Sequence, residues 1–142
     1  MMIKNLMLII CAAILVVACK KDSTDEKKEE TFMSSSSDTL VASGTFINGN
    51  GHSSTGSIKA YKRPNDQLIQ FENLKTDNGP LLKVYLSKDN SNKDFIDLGD
   101  LKAVAGNFNY EVNSSVNLKE YNHVIIWCEK FSVLFGDAVL KE

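Results

Sequence analysis

The sequence predicts an all-β domain, an antiparallel β-sandwich or barrel-like fold carried behind an export signal and a flexible tether. Three observations lead there. From about residue 40 onward, apolar residues fall in short runs at roughly even spacing, divided by turn signals, which is the pattern of sandwiches and barrels. Two of the runs, 57–62 and 108–112, alternate apolar and polar side chains, as a strand with one buried face does. A third, Val124-Ile125-Ile126-Trp127-Cys128, is apolar on both faces, as a central strand covered on both sides must be.

The elements follow in order. Residues 41–47 form a first strand. Asn48-Gly49-Asn50-Gly51 is a turn, because Asn and Gly both tolerate positive φ. In the strand 57–62, Ile58 and Ala60 share a face. A turn at Arg63-Pro64-Asn65-Asp66 precedes a strand at 67–72. Asp77-Asn78-Gly79-Pro80 breaks the chain before a strand at 82–87, and a polar loop fills 88–93. Further strands are expected at 108–112, 123–128 and 131–135, one helical turn at 118–121, and a closing strand at 138–140. This domain of about 100 residues is large enough to bury one core without disulfides.

The N-terminal segment is of another kind. Lys4 is a positive start, 6–17 is an apolar run, and Ala18 is small. This is the layout of a secretory signal. The run falls short of the roughly 20 apolar residues a membrane-spanning helix needs. Val16-Val17-Ala18-Cys19 resembles a lipobox, the site where bacterial lipoproteins are lipidated on Cys and cleaved before it. The expected organisation is a signal at 1–18, a lipidated flexible linker at 19–39 and the β-domain at 40–142. The linker is charged from Lys20 to Glu30 and carries four consecutive serines, 34–37, a composition that cannot bury a core. The expected place is the cell envelope, with the chain held to a membrane by lipid on Cys19. Cys19-Lys20-Lys21-Asp22 is similar to a surface-export signal of Gram-negative lipoproteins, which adds outer-membrane surface display as an expectation; a solvated charged tether is the alternative.

The chain has 142 residues and a net charge of −2. No basic excess argues for nucleic acid. Of three cysteines, Cys11 leaves with the signal and Cys19 takes lipid, so Cys128 is the one free thiol expected in the mature protein. It reads either as a redox thiol or metal ligand, or as a packed core thiol. His52, in the Gly-rich loop, reads as a ligand or proton carrier, or as a loop histidine bonded to nearby backbone. Two His and one Cys are blue-copper ligand types. However, His123 and Cys128 are five apart, so on a regular strand they face opposite ways, about 17 Å apart. Asp94, Asp97 and Asp100 lack the spacing of an EF-hand and read as a solvated loop. No Walker loop, dinucleotide fingerprint, zinc motif or nucleophile elbow is present. The sequence thus gives no support for a hydrolase or nucleotide-binding enzyme.

Residues 42–141 resemble the DM-thirteen family of electron-transfer domains. The resemblance rests on Gly44-Thr45-Phe46, His52, Gly56, Asn78-Gly79-Pro80 and Val84-Tyr85-Leu86-Ser87. It continues through Asp97-Leu98-Gly99-Asp100-Leu101-Lys102, Gly106, Tyr110, Tyr121, Val124-Ile125-Ile126-Trp127-Cys128, Phe131-Ser132-Val133, Phe135-Gly136 and Ala138. It implies a sandwich-like fold, with Cys128 as the family's redox cysteine and His52 as its characteristic histidine. In animal proteins such domains accompany haem- or sugar-binding DOMON domains. This chain lacks one, so its redox partner is expected to be a separate molecule. The cofactor is open, with metal or haem both compatible. Two functions follow as expectations: a tethered electron-transfer module centred on Cys128, or a non-catalytic module that binds a ligand or protein.

Overall fold

The computed structural model describes residues 27–142. The expected signal and Cys19 lie outside the described residues. The elements are β1 (Lys27–Glu29), β2 (Thr39–Asn48), β3 (Ser54–Lys62), β4 (Asp66–Thr76), β5 (Leu82–Ser87), β6 (Phe95–Asp100), β7 (Ala105–Asn113), β8 (His123–Cys128) and β9 (Val133–Val139). They form one mixed sheet in the order β1-β7-β4-β3-β2-β9-β8-β5-β6. The sheet curls on itself like a half-barrel. β2 makes the bend: its first part pairs with β3 and its last three residues pair with β9. The far edge comes round so that β6 approaches β7. Tyr110 on β7 fastens the approach, donating to the Asp100 carbonyl at 2.8 Å and accepting from the Lys102 amide at 3.0 Å.

Alternation fills the interior. Ile58 and Ala60 on β3, Ile69 and Phe71 on β4, and Phe108, Tyr110 and Val112 on β7 all point inward. They meet Val84 and Leu86 on β5, Val124, Ile126 and Cys128 on β8, and Phe135 and Ala138 on β9. Each large side chain so buried contributes roughly 1.5–3 kcal/mol. β8 lies between β9 and β5 and is buried on both faces, because Ile125 and Trp127 pack outside with Tyr85 and Leu134.

The expected architecture needs three corrections. First, the sheet is not purely antiparallel: β1 pairs with β7 in parallel. β1 also falls inside the stretch expected as flexible linker. Its charges do not need burial, since they serve an edge. Glu30 accepts from the Asn109 amide at 2.9 Å and pairs with Lys28 and Lys102, both at 3.1 Å. Gly106 permits the pairing, since a Cβ there would lie 1.9 Å from the Lys28 carbonyl oxygen.

Second, 95–100 is the edge strand β6, not a solvated loop. Its acids face solvent and reach Lys83, with Asp100 at 2.7 Å and Asp97 at 4.0 Å. Charge on an edge blocks further pairing. Asp94 instead bonds Lys88 at 2.7 Å, so the three aspartates do not converge. Third, the two expected C-terminal strands are one, β9. The expected helical turn at 118–121 is present as a single turn, with the Asn117 carbonyl accepting from the Glu120 and Tyr121 amides.

The barrel has two ends. One carries the loops 49–53, 77–81, 101–104 and 129–132, together with the start of β1. The other carries the loops 63–65, 88–94 and 114–122 and the C-terminus.

Candidate functional site

Cys128 is the last residue of β8, opposite Leu82 on β5 and Val133 on β9. Its side chain points inward and is 0% exposed. The thiol donates to the Pro80 carbonyl oxygen at 3.1 Å. Pro80 belongs to the loop 77–81, which folds over this end of the barrel. Gly79 lets it do so, because a Cβ there would lie 2.7 Å from the Phe135 ring. Leu81 follows with φ 58, a conformation rare for a bulky side chain.

Phe135 faces the other way onto His52. The two rings stack with centroids 3.6 Å apart and planes 10° from parallel. His52 Nδ1 lies 3.4 Å from Asp77 Oδ2, which also accepts from the Ser53 amide at 3.0 Å. Beneath them, buried Ser54 donates to the Phe135 carbonyl at 2.7 Å and pairs with Thr76 Oγ1 at 2.7 Å. His52, Phe135, Gly79, Pro80 and Cys128 are therefore linked by a continuous run of contacts. Imidazole and thiol share one end of the barrel, but Phe135 and the Gly79-Pro80 backbone stand between them. They do not open into one pocket.

His123 lies at the opposite end of β8 and on its outer face. Its Nδ1 is 2.9 and 3.0 Å from the two carboxylate oxygens of Asp137 on β9. Asp137 is only 4% exposed, and burial pushes its carboxyl above the usual range while the bond to His123 pulls it down. Asp137 was not legible as a site residue: it is one acid between Gly136 and Ala138 in an apolar strand. Phe135 and Pro80 carried a signal in the resemblance, but no hint of the stack or the thiol bond.

The described donors do not fit a metal ion. Among the described residues no three His, Cys, Asp or Glu side chains converge, and the thiol is already committed to a carbonyl. A concavity of mixed lining lies elsewhere. At the opposite end a cleft of about 510 Å³ is floored by Val41, Ala42, Val116, Leu118 and Leu140, with Lys62 at its rim.

A model of the electron-transfer DM13 family matches residues 45–140. The chain belongs to the DM13 family. The match takes in the His52 loop, the Asn78-Gly79-Pro80 cover and Cys128, so the whole linked end of the barrel is DM13 domain. No curated protein and no solved structure matches the chain.

Proposed function

We propose that this DM13 domain is an electron-transfer module of the bacterial cell envelope, tethered by lipid on Cys19, with Cys128 as its redox residue and His52, at the same end of the barrel, as a ligand or proton carrier. The observation that carries the reading is the linked run His52–Phe135–Gly79–Pro80–Cys128 inside a domain whose family is described by electron transfer. A stacked imidazole and phenyl ring lead from a side chain 30% exposed toward a thiol that water does not reach. We derive no step through a metal ion, because among the described residues no three His, Cys, Asp or Glu side chains converge.

The test is to extract the lipidated full chain from membranes, measure its metal content and visible spectrum, and titrate the thiol. A bound redox group perturbed by Cys128→Ser, or a thiol that reacts without unfolding, supports the reading. A colourless, metal-free protein whose thiol reacts only after denaturation contradicts it.

The second reading is a non-catalytic binding module. The cleft at the far end favours it, being apolar at its floor, polar at its rim and roughly 17–20 Å along the strands from Cys128. Under that reading Cys128→Ala leaves ligand binding intact, and substitution of Leu118 at the cleft abolishes it.

A further inference from the structure

We infer that the end of the barrel bearing Leu81 and Phe131 rests on the membrane, with these two side chains in the interfacial layer and Lys130 and Lys75 facing anionic headgroups. The inference rests on the proposed lipid anchor at Cys19. The strand directions carry it. Lys27, where the described chain begins, pairs with Ala105 at the start of β7. Ala105 also pairs with Lys75 near the end of β4. The domain is therefore entered at the same end that carries the loops 77–81 and 129–132. Eight residue steps separate Lys27 from Cys19, and an extended chain covers at most about 3.5 Å per residue, or about 28 Å in all. A lipid on Cys19 thus holds this end, and not the cleft end, close to the bilayer.

The surface at that end suits the position. Leu81 is 53% exposed and Phe131 64% exposed, both at loop tips. Leu81 is held outward by a left-handed backbone, φ 58, and its carbonyl accepts from the Glu129 amide at 3.1 Å, which ties the two loops together. Lys130 lies 5.8 Å from the Phe131 ring centroid. Neither Lys130 nor Lys75 makes an ion pair among the described residues, whereas Asp77 faces His52 and Glu129 takes the Tyr85 hydroxyl at 3.5 Å. An apolar tip with cations at the same end that make no ion pair among the described residues is the pattern of an interfacial contact. Cys128 and His52 share this end, so a redox partner would meet them at the membrane surface.

The full lipidated chain is reconstituted into vesicles of phosphatidylethanolamine and phosphatidylglycerol, 3:1, doped with a photoactivatable acyl-chain lipid. Intact mass reports lipid on Cys19, and peptide mass spectrometry maps the crosslinks. Crosslinks at 81 and 131, lost in the L81S/F131S variant, are expected. Lipidated protein with crosslinks only at 63–65, 88–94 or 114–122, or none on the domain, overturns the inference and leaves the tether standing. Capture of a protein at Leu81 and Phe131 without lipid crosslinks also overturns it. A chain without lipid overturns the tether reading itself, and the inference with it.

Discussion

The thiol of Cys128 donates to the carbonyl oxygen of Pro80 at 3.1 Å, and this bond ties the end of β8 to the loop that covers it. Reactivity of the thiol is therefore set by opening of the loop, not by a standing channel. Gly79→Ala places a Cβ 2.7 Å from the Phe135 ring. The ring or the loop must shift, at a cost of about 1–3 kcal/mol. A cover weakened by about 1.4 kcal/mol is open about ten times more often. The expected outcome is a lower melting temperature and about tenfold faster maleimide labelling of Cys128 under native conditions, read by mass spectrometry.

Much of this architecture could be read from the residues. Ile58 and Ala60 do share the buried face of β3, and Val124 to Cys128 do form a strand covered on both sides. What failed was edge structure. β1 and β6 carry charge where a buried strand would carry apolar residues, because an edge satisfies its side chains with solvent and ion pairs. The stack of His52 on Phe135 was hidden for a different reason. The residues are 83 positions apart, and only the register of β2 on β9 brings them together.

The pair of His123 and Asp137 predicts a pH effect. Burial raises the Asp137 carboxyl in the folded state. The folded protein then holds a proton that the unfolded chain has released. This group's contribution to stability is greatest at low pH and falls as pH rises through the window just above the ordinary aspartate range. Glu30, Asp89 and Asp94 are lowered and act in the opposite sense, losing stability as pH falls. Asp137→Asn isolates the one group. Its melting temperature relative to wild type is expected to rise as pH increases through that window. A difference independent of pH would count against the assignment.

At the sheet edge, Gly106→Val drives a side chain into the Lys28 carbonyl, 1.9 Å from the position of its Cβ. The parallel pairing of β1 must break. The Glu30 amide, which donates to Asn107 at 2.7 Å, is expected to lose hydrogen-exchange protection. Amides of β8 are expected to keep theirs, with a global loss of about 1–3 kcal/mol from the strained site.

The most direct measurement is a titration of the lipidated full chain in glutathione redox buffers, compared with Cys128→Ala. The Cys128 thiolate attacks glutathione disulfide, forming a mixed disulfide and releasing one glutathione thiol, and excess glutathione reverses the exchange. The account predicts a reversible transition in the wild type that the variant loses, while the variant keeps the wild-type circular dichroism spectrum. Identical traces from the two proteins, or no transition in either, would contradict it.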